Sequence, residues 1–169
     1  MHPYVLLLLL CGWSASGHCL PPKEIPLLQS RAKSAIIDEM LCLLENENTA
    51  LNEQLTTPTC ITCTNCACNN TEEFIHQLSK LESPCMKIVK SDMTKLKENC
   101  SILKTKSAHG NSCKEIRADF SKFRSNLEEF LKWLSQMNNC RNIVRDELDL
   151  DGISESSCPQ LQKHCRERL

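Results

Sequence analysis

Hydrophobic positions recur with helical spacing in four places along the chain, and the intervals between them are polar. The first stripe lies in residues 26–47, where Ile36, Ile37, Met40, Leu41, Leu43 and Leu44 follow at steps of one, three and four. Such spacing gathers apolar side chains on one face of a helix and leaves Arg31, Asp38, Glu39 and Glu45 opposite. Pro26 suits a first helical position, where no amide donor is required. Residues 48–70 show no period and hold Pro58 together with Cys60, Cys63, Cys66 and Cys68. A short helix is predicted over 71–82, with Phe74, Ile75, Leu78 and Leu81 on one side, Asn70 as its cap and Glu73 completing a capping-box pattern. Ser83-Pro84 predicts the start of a third helix. Its stripe is Val89, Met93, Leu96, Cys100 and Leu103, with Lys87, Lys90, Lys95 and Lys97 off it. The most regular rhythm comes last: Ile116, Phe120, Phe123, Leu127, Phe130, Leu134 and Met137 alternate steps of four and three. Ser112 and Glu115 form a capping box at its start, and the helix is expected to reach Cys140, with an extension to Leu148 left open.

Four helices with one apolar stripe each predict an all-α fold, a disulfide-linked short-chain four-helix bundle. Helices two and three are joined by two or three residues and must be antiparallel neighbours. The third helix spans roughly 26 Å, and the connection after it reaches roughly 30 Å when extended. With more than 20 residues in the first connection, an up-up-down-down order is expected, and up-down-up-down is its alternative.

Cysteine usage changes the picture from any helical protein to an exported one. Residues 1–17 read as a signal peptide: an apolar core over 5–10, then Ala15 and Gly17 at the −3 and −1 positions of a cut. Of the 13 cysteines, Cys11 would leave with that segment. An even set remains: Cys19, Cys42, Cys60, Cys63, Cys66, Cys68, Cys85, Cys100, Cys113, Cys140, Cys158 and Cys165. In an oxidising compartment these are expected to form disulfides and leave no free thiol, so the location is secreted and extracellular. The expected organisation is a signal peptide (1–17), a helical domain (18–148) and a polar, cysteine-containing tail (149–169). Asn69 and Asn99 head glycosylation acceptor triplets.

The close spacing of Cys60, Cys63, Cys66 and Cys68 also suits a tetrahedral metal, but lacks paired C-x-x-C knuckles. Bridges outward to Cys42, Cys85, Cys100, Cys113 or Cys140 are expected instead. With 20 basic against 21 acidic residues and a net charge of −1, no footprint for nucleic acid or an anionic membrane appears. Outside the leader no segment approaches the length of an apolar membrane span. His18, His76, His109 and His164 have no partners in any catalytic motif, so no enzyme, metal or cofactor is expected. The 4 Gly and 7 Pro argue against a many-turned β-sandwich.

The segment from Asn126 to Cys140, which includes Phe130-Leu-Lys-Trp-Leu-Ser-Gln-Met, is similar to the Phe-Leu-Lys run in the last helix of interleukin-7 and interleukin-9. Cys19 near the mature terminus and the cysteine-rich connection after the first helix add to the likeness. The chain thus resembles short-chain helical cytokines, most closely the branch that signals through the common γ receptor chain. That resemblance implies partners that are receptor ectodomains, a ligand-specific chain and a shared one, and an interleukin-type growth or survival signal to immune cells. It implies a specific-receptor surface at Arg31, Asp38 and Glu45 with Lys87, Lys90 and Lys97, and a shared-chain surface at Lys132, Gln136 and Asn139. The alternative class is a secreted helical lipid-binding or host-defence protein, which needs an exposed apolar face or strong positive charge. A disulfide-rich protease inhibitor would expose a rigid Gly/Pro-flanked loop.

Overall fold

The computed structural model describes residues 24–45, 47, 54–106, 113–140 and 158–167. The signal segment 1–17, Cys19, Ser112 and residues 141–157 lie outside the described residues, as do the side chains of Arg31 and Cys165. The described chain is mostly helical and disulfide-linked. It runs α1 (Glu24–Glu45), β1 (Leu55–Pro58), α2 (Ala67–Leu78), α3 (Pro84–Asn99), β2 (Glu115–Ala118), α4 (Phe120–Ser135) and α5 (Cys158–Glu167).

The expected apolar stripes form the core. Ile36, Ile37, Met40, Leu43 and Leu44 of α1 are buried, as are Val89, Met93 and Leu96 of α3 and Phe123, Leu127, Phe130 and Leu134 of α4. Phe74 of α2 sits at the centre, its ring 5.7 Å from Phe123 and 5.4 Å from Phe130. Such offset ring pairs each add about 0.5–1.5 kcal/mol beyond the area they bury.

Polar contacts fix the direction of each helix. Lys33 of α1 donates to the carbonyls of Leu134 (3.2 Å) and Met137, while Arg124 donates to those of Glu45 and Glu47, both at 3.4 Å. The two helices are therefore antiparallel. A Lys97–Glu72 ion pair at 3.0 Å ties the end of α3 to the start of α2, as their short link requires. The Cys100–Cys140 disulfide joins the chain just past α3 to the chain just past α4.

Four sequence expectations are corrected. Residues 115–118 open no helix. They form strand β2, antiparallel to β1 with Leu55 opposite Ala118, and Ile116 is 46% exposed instead of core. The α4 helix begins at Phe120, capped by the Asp119 carboxylate, which accepts from the Lys122 amide at 2.7 Å. It ends at Ser135, before Cys140. Helix α2 starts at Ala67, so Asn70 lies inside its first turns and caps nothing; its amide donates to the carbonyls of Cys60 (2.7 Å) and Ile61 (3.2 Å). The helix stops at Leu78, and Leu81 is buried in the link beyond it.

Buried polar side chains seat β1 on the helices. Asn126 of α4 donates to Thr57 at 3.0 Å, and Gln77 of α2 donates to Thr56 and Glu73, both at 2.6 Å. Each such bond contributes about 1 kcal/mol, and orphaning one partner costs more. The tail holds helix α5, for which the pattern gave no signal. Leu161 is buried there, the Gln162 amide donates to the Cys42 carbonyl at 2.8 Å, and Cys158 is bonded to Cys42.

Candidate functional site

The cysteine cluster divides in three ways. Cys60 and Cys63 bond each other, which corrects the expectation of outward bridges for that pair. Cys66 does reach outward, to Cys113, and so ties the connection ahead of α2 to the chain just ahead of β2. Closing a separation of 47 residues constrains the unfolded chain by about 4 kcal/mol in the loop-entropy model. Cys68 is a free, buried thiol, contrary to the expected full pairing, and burial, then the nearby Glu72 carboxylate, push its pKa up. Cys85 is disulfide-bonded as well. The cluster is therefore a set of structural bridges beside one inert thiol.

The residues assigned to a specific receptor fall on two helices, α1 and α3. Asp38 and Glu45 are exposed on α1, two turns apart. Lys87, Lys90 and Lys97 lie on the flank of α3 that meets α2. Lys87 and Lys90 border an open hollow of about 400 Å³ with Leu78, Ser79, Ser91 and Thr94. Lys90 and Lys97 border a second, of about 310 Å³, with Glu72, Ile75, His76 and Ser79. The two hollows share Ser79 and Lys90, so they form one groove. Glu72 accepts from Lys97 and lies 3.5 Å from Lys106; the Lys97 hydrogen bond chiefly holds its carboxyl below the usual value. Lys87 and Lys90 have no ion-pair partner among the described residues.

The residues assigned to a shared chain follow one another at the end of α4 and just past it. Lys132 is exposed in the last turn of α4, and Gln136, exposed at the C-cap, follows one turn later. Asn139 is exposed just beyond, and its carbonyl accepts from the Ser101 amide at 3.0 Å and hydroxyl at 3.1 Å. Behind this stub, Lys33 is almost wholly buried and covers the last carbonyls of α4, a position where the helix dipole favours a cation. Sequence reading missed Lys33, although its spacing of three, four and seven from Ile36, Ile37 and Met40 puts it in the apolar stripe of α1.

His76 is exposed in the last turn of α2, and His164 lies on α5, far along the chain and on a different helix. Asn69 is half-buried in the first turn of α2; Asn99 ends α3, its amide donating to the Lys95 carbonyl at 2.8 Å. Among the described residues no helix is long and apolar enough to cross a membrane. Comparison with protein-family models, curated proteins and solved structures finds no match for this chain.

Proposed function

We propose that the chain is a secreted, disulfide-linked four-helix cytokine that signals by bridging two receptor chains on immune cells. The observation that carries this reading is the pairing of β1 with β2. One strand belongs to the connection between α1 and α2, the other to the connection between α3 and α4. Connections that join helices end to end stay at the ends of a bundle. Two that lie side by side along it fit helices entered in the order up, up, down, down. The antiparallel pairs α1/α4 and α2/α3 fit this order and the up-down-up-down alternative alike, whereas the bridge joining the ends of α3 and α4 favours this one. Extracellular location is supported by the bridges Cys42–Cys158, Cys60–Cys63, Cys66–Cys113 and Cys100–Cys140, together with the leader pattern in 1–17.

The function is binding and proximity, with no chemistry. Asp38 and Glu45 face the ligand-specific receptor, and the sequence alone adds Arg31 to that set. Lys132, Gln136 and Asn139 face the shared chain, such as common γ. The three lysines of α3 are left out of the first surface because they line the groove with α2. Binding of the oxidised, exported protein to an array of cytokine receptor ectodomains tests the reading. Capture by a pair of receptor chains, weakened by Gln136→Asp without loss of helical circular dichroism, is the expected result. A burial that strands an unpaired carboxylate costs several kcal/mol, so the loss should be large. No binding to any ectodomain, with avid flotation on liposomes, would replace the cytokine reading with the lipid-binding one.

A further inference from the structure

Charge is unevenly spread over this nearly neutral chain. Residues 80–106 hold seven lysines against three acids, Glu82, Asp92 and Glu98, while the whole chain carries a net charge of −1. Asp92 is buried and paired with Lys95 at 3.4 Å, so it offsets that lysine and leaves the others to carry the excess. On α3 the positions 87, 90, 91, 94 and 97 fall at steps of three, one, three and three, which is a single helical face. On α2 and its cap, positions 72, 75, 76 and 79 fall at steps of three, one and three. The two faces oppose one another and form the walls of the groove described above.

Three properties of this groove narrow its ligand. It is long and open, since Lys87 and Lys97 are separated by about 15 Å along the helix axis. It therefore suits a chain running along it, not a small anion enclosed on all sides. Its cations are lysine ammonium groups, which act as separate point charges and lack the planar fork that grips a phosphate from two sides. Serine and threonine hydroxyls, at Ser79, Ser91 and Thr94, lie between them, and the Ser79 hydroxyl donates to the His76 carbonyl at 2.6 Å. No Phe, Tyr or Trp borders either hollow, so nothing is placed to stack on an unpaired nucleobase. The one carboxylate in the groove, Glu72, is matched by Lys97 and Lys106, which leaves Lys87 and Lys90 as the unmatched charge.

We propose that this α2/α3 groove binds a sulfated glycosaminoglycan, with Lys87 and Lys90 meeting sulfate groups and Lys97 extending the track at its Glu72 end. Dispersed cations match a polymer whose negative charges are spaced along a flexible polyhydroxylated backbone, and the Ser79 and Thr94 hydroxyls, which donate to the His76 and Lys90 carbonyls, are left to accept from its sugar hydroxyls. Binding is a property of the groove alone. Only its setting, a matrix or cell surface outside the cell, rests on the secreted reading. Lys132, Gln136 and Asn139 are not among the residues that line the groove.

The experiment is heparin binding by the full oxidised protein, measured by calorimetry at low and at moderate salt. The double variant Lys87→Gln/Lys90→Gln is compared with a control that removes equal charge elsewhere, Lys114→Gln/Lys122→Gln. Heparin affinity should fall at least tenfold in the groove variant and less than twofold in the control, and wild-type affinity should weaken with salt because exposed charges are screened. Heparin stripped of its sulfate should not bind. Urea unfolding of each variant guards against a folding defect; all four lysines are exposed or half-buried, so the midpoints should coincide. Equal weakening in both variants would mean unspecific attraction and overturn the proposal. So would absence of heparin binding at low salt, retained binding to the stripped polymer, or tighter, lysine-dependent binding to single-stranded RNA. The receptor screen contains no sulfated polymer, so failure of one proposal leaves the other readable.

Discussion

Ile116 and Phe130 stand in one unbroken four-three rhythm, yet the structure gives them different energetics. Phe130 has no exposed surface and its ring lies 5.4 Å from Phe74 and 5.6 Å from Trp133. Truncation to alanine removes a full aromatic side chain and leaves a hole between two rings. The expected cost is about 3–5 kcal/mol, of which the lost ring pairs make up a share. That is at least about two orders of magnitude in the folding equilibrium. Ile116, 46% exposed on β2, leaves no cavity when shortened, and Ile116→Ala should cost less than about 1 kcal/mol. Urea unfolding followed by far-ultraviolet circular dichroism, with all bridges oxidised, measures both values. Equal destabilisation by the two substitutions would place residue 116 on the helix face and refute the strand. A loss below about 1 kcal/mol for Phe130→Ala would refute the packing around Phe74.

Other outcomes follow from single contacts. Cys68 is buried with its pKa pushed up by burial, so iodoacetamide should label it only after unfolding; rapid labelling of native protein would contradict its placement. Glu72 has a folded pKa below its ordinary 4.5, so its stabilising share is complete above that value and is lost as pH falls through the folded value. Glu115, exposed on β2, has its pKa raised chiefly by partial desolvation and then by Glu73, and acts oppositely: its share is present at low pH and lost as pH rises through its folded value. Glu72→Gln should therefore flatten the fall in urea midpoint below pH 4.5, and an unchanged profile would remove the Lys97 bond from the argument. Replacing Cys42 and Cys158 together with serine should raise hydrogen exchange in residues 158–167 far more than in α4. Equal protection in both proteins would mean that Leu161 and Gln162 hold α5 without the bridge.

The legible parts of this fold were those where local pattern and tertiary burial agree. Ser83-Pro84 marks the start of α3 because a proline at the first turn and a stripe of Val89, Met93 and Leu96 point the same way. At residues 115–118 they disagree. Four residues cannot distinguish a helical period from a strand, and pairing with residues 55–58, remote in sequence, decided the outcome. Asn70 looked like a cap because polar residues precede the stripe at Phe74, but Asn70 serves the carbonyls of Cys60 and Ile61 from inside the helix. Among its described side chains helix α5 has one buried apolar residue, Leu161, and it carries a crosslink whose partner lies 116 residues away, information that no local window holds. In the candidate surfaces, the proximity of Lys132, Gln136 and Asn139 was readable from spacing. The side of α3 on which Lys87, Lys90 and Lys97 fall relative to α1 depends on helix rotation and was not.

The buried ammonium of Lys33 has a consequence for how the end of α4 can be used. Helix ends normally fray, and a partner that grips one must first freeze it, at a conformational cost of about 1–2 kcal/mol for each residue fixed. Here Lys33 holds the carbonyls of Leu134 and Met137, Ser101 holds that of Asn139, and Cys140 is bonded to Cys100. Gln136 and Asn139 are therefore exposed on backbone that is already immobilised from within. A protein docking on them meets a surface with little freedom left to lose, so its affinity need not be spent on ordering, and its dissociation should be slow for the area it covers.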